Sequence, residues 1–170
     1  MSIAQSMLPE FDQEMASTRR TLERVPGERF DWRPHEKSYT LGELTTHLAN
    51  LVTWGSMSIE QDSYDMTPKD GESPRTRAVA SVAEAVKKFD ENVAATRAAL
   101  AGASDETLMS PWSLVMNGEA LFTMPRVAVM RSFVMNHMIH HRAQLCVYLR
   151  LNDVPVPSIY GPSADESGMQ

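Results

Sequence analysis

The chain has 170 residues, of which 42% are hydrophobic, enough for one domain with a substantial core spanning residues 1–170. A net charge of -6 and a pI near 5.3 argue against nucleic acid or an anionic membrane as the main partner. The single cysteine, Cys146, excludes an internal disulfide framework and makes a reducing, cytoplasmic setting the default expectation.

The first fifteen residues carry Glu10, Asp12 and Glu14 and no apolar run, so no signal peptide is evident. Ile3, Met7, Phe11, Met15, Thr18, Leu22 and Val25 recur at helical spacing and predict a first helix from about Ser2 to Val25, stopped by Pro26-Gly27. Pro9 falls inside this pattern, where a helix begins or kinks. Residues 28–39 are polar and irregular and read as a loop long enough to carry function. Thr40 and Glu43 then form a capping box, and Leu44, His47, Leu48 and Leu51 mark the inner stripe of a second helix ending near Gln61.

Residues 62–76, rich in Asp, Pro, Gly and Ser, read as a loop. A third helix is expected from about Arg77 to Ala101, burying Val79, Val82, Val86, Phe89, Val93, Thr96 and Leu100, with Ser104 capping a further short turn. Between Leu108 and Met124 the pair Asn117-Gly118, flanked by apolar residues, is a hairpin signal; a small β-ribbon and an ordered loop both satisfy it. Pro125 opens a fourth helix reaching Leu151, and the proline-rich tail from Val154 to Pro162 is expected to lie extended over the domain or a partner. The pattern predicts an all-α four-helix bundle with long loops between helices 1 and 2 and between helices 3 and 4. No segment approaches the roughly 18 uninterrupted apolar residues of a membrane span.

Chemistry concentrates in the fourth helix. Three of the five histidines lie in the run from Asn136 to Gln144. His137 and His141 are four apart and share the face marked by Met130, Phe133 and Val134 before them and by Gln144, Leu145 and Tyr148 after them. One inward histidine is commonly a hydrogen-bonded core residue, but this spacing brings two ring nitrogens to one point. A metal then requires a third ligand from His35 or His47, and His47 on the apolar stripe of helix two is the better placed. Three neutral imidazoles leave positions open on a divalent ion; nickel, zinc, iron and manganese all suit such a set. Asp12, Glu14 and Glu43 are the candidate carboxylates for hydrogen bonds to these rings. Cys146 lies well round the helix and reads as a small packed residue.

The phrases Ser38–Leu48, Asn136–Gln144 and Tyr148–Pro157 resemble the DinB superfamily, over essentially the whole chain. The resemblance implies a four-helix bundle, a metal site at His47, His137 and His141, and a homodimer. Some members of that family are thiol-dependent transferases or isomerases that use a low-molecular-weight bacterial thiol; others are described as hydrolases. The chain departs from the family at Ala143, where glycine is common, outside the ligand set. His140 is not a ligand in the family pattern and projects roughly 60° from His137 on an ideal helix, at the rim or a subunit contact.

Three functional readings follow. The first is an enzyme in which the metal activates a small thiol or water toward a small-molecule substrate, with thiol transfer favoured over hydrolysis. The second is a metal-binding or ligand-binding stress-related module without turnover. The third is a bundle whose histidines are core residues. Met57, Met66, Met116, Met124, Met135 and Met138 are more methionines than one core needs and lend slight support to the homodimer.

Overall fold

The computed structural model describes residues 1–67 and 77–166. Helix α1 (Ile3–Leu22) starts from a Ser2 capping box with Gln5, so it begins before Pro9 and carries that proline inside. The loop expected over residues 28–39 includes a short 3-10 turn, Gly27–Arg29, and folds back on the next helix. Leu41 N–H donates to the Trp32 carbonyl and Gly42 N–H to the Phe30 carbonyl. Gly42 lets the two segments approach closely, because a Cβ would sit 3.2 Å from three Phe30 atoms and press on that ring.

The second predicted helix is two helices, α2 (Leu41–Leu51) and α3 (Thr53–Glu60). The Thr40–Glu43 capping box opens α2 as expected. The break at Val52 has a physical cause on another element. Thr96 Oγ1 donates to the Val52 carbonyl at 2.8 Å and accepts from Ser56 N at 3.3 Å, so a side chain takes the place of one rung of the helical ladder. Gly55 makes room for it, since a Cβ at that position would lie 2.3 Å from Thr96 Cγ2.

The all-α expectation needs correction, because the protein is mostly helical but contains a three-stranded sheet. Strand β1 (Ser63–Asp65), within the expected loop 62–76, pairs in parallel with β2 (Pro111–Met116); residues 68–76 of that expectation lie outside the described residues. Strand β3 (Glu119–Pro125) returns antiparallel to β2 around Asn117-Gly118, giving the order β1-β2-β3. Both turn residues have positive φ, 54° and 80°, the requirement of a type I′ hairpin, so the ribbon reading holds over the loop.

Helix α4 (Val82–Gly102) starts later than Arg77 because Ser81 caps it and Val79 N–H is held by Thr46 Oγ1 at 3.1 Å. Of the expected stripe, Val79, Phe89, Thr96 and Leu100 are buried, while Val82, Val86 and Val93 pack at its margin. Ser104 caps the short α5 (Asp105–Met109) as expected.

The fourth predicted helix is continuous in path but not in type. It runs as α6 (Arg126–Val129), a π-helical segment (Met130–Asn136) and α7 (His137–Leu151). Pro125 ends β3 and stands just ahead of α6 rather than being its first residue. In the core, α1 packs on α4 and α7, and α2 packs on the same two. A second apolar cluster of Trp112, Leu114 and Val129 joins the sheet to Trp54 and Phe133. Met135 and Met138 are fully buried, so they serve packing. The tail runs past the C-terminal end of α1, where Arg20 donates to the Ser158 carbonyl and Arg24, just beyond the helix, to the Pro155 carbonyl. Among the described residues no helix is long and apolar enough to cross a membrane.

The Gly55–Thr96 contact gives a double-mutant test. Gly55→Ala should destabilise the protein by about 1–3 kcal/mol through overpacking, although alanine is the better helix former. Thr96→Ser removes the methyl that collides while keeping the bridging hydroxyl. In urea unfolding the double variant should therefore recover part of the loss. Additive losses would contradict this account of the break.

Candidate metal centre

His47 projects from the middle of α2, while His137 and His141 lie one turn apart at the start of α7, which packs against α2. The structure brings all three together. His137 Nε2 stands 3.4 Å from His47 Nε2 and 2.9 Å from His141 Nε2, and the three possible ligand atoms lie within 4.8 Å of one another. Zinc–imidazole bonds of about 2.0–2.1 Å place two nitrogens of a tetrahedral site about 3.3 Å apart, close to both distances from His137.

Each ring is partly buried. Burial, followed by the His141 and His137 charges, pushes His47 down to about 4. His137 is lowered by burial and then by His141; His141 is lowered chiefly by burial. All three are therefore neutral at pH 7, the form that donates a lone pair. His141 Nδ1 lies 2.8 Å from Gln144 Oε1. The donor set fits a first-row divalent ion, and the three residues could hold one.

The remaining candidates are elsewhere. His35 Nδ1 accepts from Lys37 N at 3.1 Å in an exposed turn. His140 is exposed, its ring edge-on to His141 at 4.9 Å, which is the rim position expected of it. None of the three proposed carboxylates bonds to the rings, which corrects that expectation. Asp12 pairs with Arg97 at 2.8 Å, Glu14 with Arg142 at 2.6 Å, and Glu43 accepts from Thr40 N at 2.7 Å. The group that does bond is the amide of Gln144, which is exposed rather than buried on the inner stripe. Its i, i+3 spacing from His141 is visible in the sequence. Cys146 is half-buried and burial raises its thiol, in keeping with a packed residue.

Tyr39 was also not anticipated. Its ring lies 5.8 Å from that of His47 and 6.3 Å from that of His141, and its carbonyl is held by the Tyr148 hydroxyl at 3.1 Å. Cavities open on both sides of it. One of about 500 Å³ runs past His47 between Glu43, Trp54, Met57 and Tyr64. A smaller one of about 260 Å³ reaches His141 beside Lys37, Ser38 and Gln144.

Fold and site together define a mostly helical protein with a three-histidine cluster at a cleft. The DinB superfamily model matches residues 10–145, and the chain belongs to that superfamily. Among solved structures it is similar to a DinB-like protein from Bacillus cereus ATCC 10987, at 20% identity and a TM-score of 0.70, covering 94% of this chain and 98% of that one. It is also similar to the DinB-like protein YjoA from Bacillus subtilis, at 18% identity and a TM-score of 0.68, covering 91% of this chain and 96% of that one. At these identities the likeness is one of fold. No curated protein matches the sequence.

The depressed imidazoles give the centre a pH dependence of known sign. Between the ordinary imidazole range near pH 6.5 and the folded value of about 4 for His47, the unfolded chain binds protons that the folded centre refuses. The stability contribution is therefore complete above about pH 6.5 and is lost as the pH falls toward 4. Thermal unfolding in chelator should show the midpoint dropping from pH 7.5 to pH 4.5, and dropping less in His47→Gln. Parallel curves for the two proteins would contradict the assignment.

Proposed function

We propose that this chain binds a divalent transition metal through His47, His137 and His141 and works as a metal-dependent enzyme, with thiol S-transfer favoured over hydrolysis. The observation that carries this reading is the convergence of three neutral imidazoles from two helices at a point open to two cavities. A structural site closes its coordination shell with protein ligands, whereas three ligands beside open space suit a visitor. When bound, such an ion supplies acidification, drawing down the pKa of a thiol or water beside it.

The surroundings favour the thiol. Among the described residues no carboxylate, serine or cysteine hydrogen-bonds to the cluster, and Glu43, the carboxylate lining the cavity beside His47, accepts from Thr40 N–H. A thiol is the more acidic group and needs less help. In the transfer its proton passes to solvent, sulfur forms a bond to the electrophilic carbon, and the leaving group departs with the bonding pair. The cavity beside His47, walled by Trp54, Met57 and Tyr64, would receive the electrophile as a small molecule. The family reading also carries a four-helix bundle of α1, α2, α4 and α7 and a homodimer.

Protein purified without a polyhistidine tag should carry about one metal ion per chain by elemental analysis, and His137→Ala should carry none. Metal-loaded protein incubated with an electrophile and glutathione, bacillithiol or mycothiol should form a metal-dependent adduct with one of the thiols. Bound metal without any adduct removes the transferase reading and favours a binding module. No bound metal, with no thermal shift on adding nickel or zinc, leaves the histidines as core residues.

A further inference from the structure

Gln144 and His140 form a chain of contacts leading outward from the histidine cluster. His141 turns its Nε2 toward His137 at 2.9 Å, so its Nδ1 faces away, 2.8 Å from Gln144 Oε1. An amide oxygen has no proton to give, so Nδ1–H must donate. A neutral imidazole carries one N–H, so Nε2 is left with its lone pair toward the cluster, where in metal-free protein it accepts from His137 Nε2–H at 2.9 Å. With the amide in this orientation its nitrogen lies 3.1 Å from His140 Nε2 and donates to it, which asks for a bare Nε2 on His140. A reversed amide would present NH₂ to His141, call for a bare Nδ1, and leave a proton on the nitrogen that faces His137.

We propose that Gln144 is a positioning residue that fixes His141 in its metal-binding tautomer, and that His140 serves by holding the Gln144 amide the right way round. This gives His140 a role despite its exposure and its position outside the ligand set. The amide carbonyl takes, behind His141, the place a carboxylate or backbone oxygen commonly has behind a metal-bound histidine. The inference rests on reading His47, His137 and His141 as metal ligands, but its first readout does not need a metal.

Imidazole nitrogen NMR on metal-free protein should show His141 as the Nδ1–H tautomer in the wild type and as a mixture in Gln144→Ala. Zinc titration against a competing chelator should show affinity about 10–100-fold weaker in Gln144→Ala. Gln144→Glu should restore most of it, since a carboxylate accepts the same N–H, and His140→Ala should fall between wild type and Gln144→Ala. Unchanged zinc affinity in Gln144→Ala, or an unchanged His141 tautomer, would overturn the proposal. So would a glutamate variant as weak as the alanine one. Wild-type protein that binds no zinc would count against the metal reading instead, and the tautomer measurement would still decide the role of Gln144.

Discussion

Arg142 and Glu14 meet at 2.6 Å with side chains only 2% and 6% exposed, and this pair sets the roll of α7 against α1. The guanidinium also donates to the Glu14 carbonyl at 3.0 Å and to the Tyr160 hydroxyl at 2.6 Å, and that hydroxyl donates in turn to the Glu14 carboxylate at 2.8 Å. Losing either member of a buried pair leaves an uncompensated charge at a cost of about 3–5 kcal/mol. Successive residues on a helix are about 100° apart, so an inward Arg142 fixes the direction of its neighbour His141. Glu14, read from the sequence as a partner for the histidines, acts on them through the helix that carries them. Tyr160 brings the tail into the same network, so a residue from the C-terminal part of the chain completes a contact in the core.

With α7 held in this way, the three histidines converge on one point. Three rings that repel one another when charged are kept neutral by burial, and the cost of gathering them falls on folding. Tyr39 stands over two of the rings and borders both cavities. The side of His47 is mixed, with Trp54, Met57 and Tyr64 beside Glu43, Thr46 and Asn50, while Lys37, Ser38 and Gln144 line the side of His141.

Much of this arrangement was legible in the sequence because it depends on local spacing. The capping boxes, the Asn117-Gly118 turn, the i, i+4 histidines and the place of His47 on an apolar stripe are all properties of short segments. The features that escaped are set by residues distant in the chain. The break between α2 and α3 comes from Thr96, and β1 exists because β2, some fifty residues later, supplies its partner. Thr46, held far from its partner in sequence, delays the start of α4 by tying down Val79. The role of Gln144 was hidden for another reason. Its spacing was readable, but which end of an amide faces a ring depends on the group beyond it.

The π-helical segment from Met130 to Asn136 changes how the two halves of the long C-terminal helix relate. A wider turn takes up an extra residue, which shifts the angular phase of everything before it relative to everything after it. Phe133 can therefore stack on Phe122 of the sheet, with ring centres 4.8 Å apart, while His137 four residues later addresses α2. An unbroken 3.6-residue repeat would tie those two directions together. The bulge works like a slipped gear tooth, letting the aromatic annex around the sheet be recut without swinging the imidazoles off their common point.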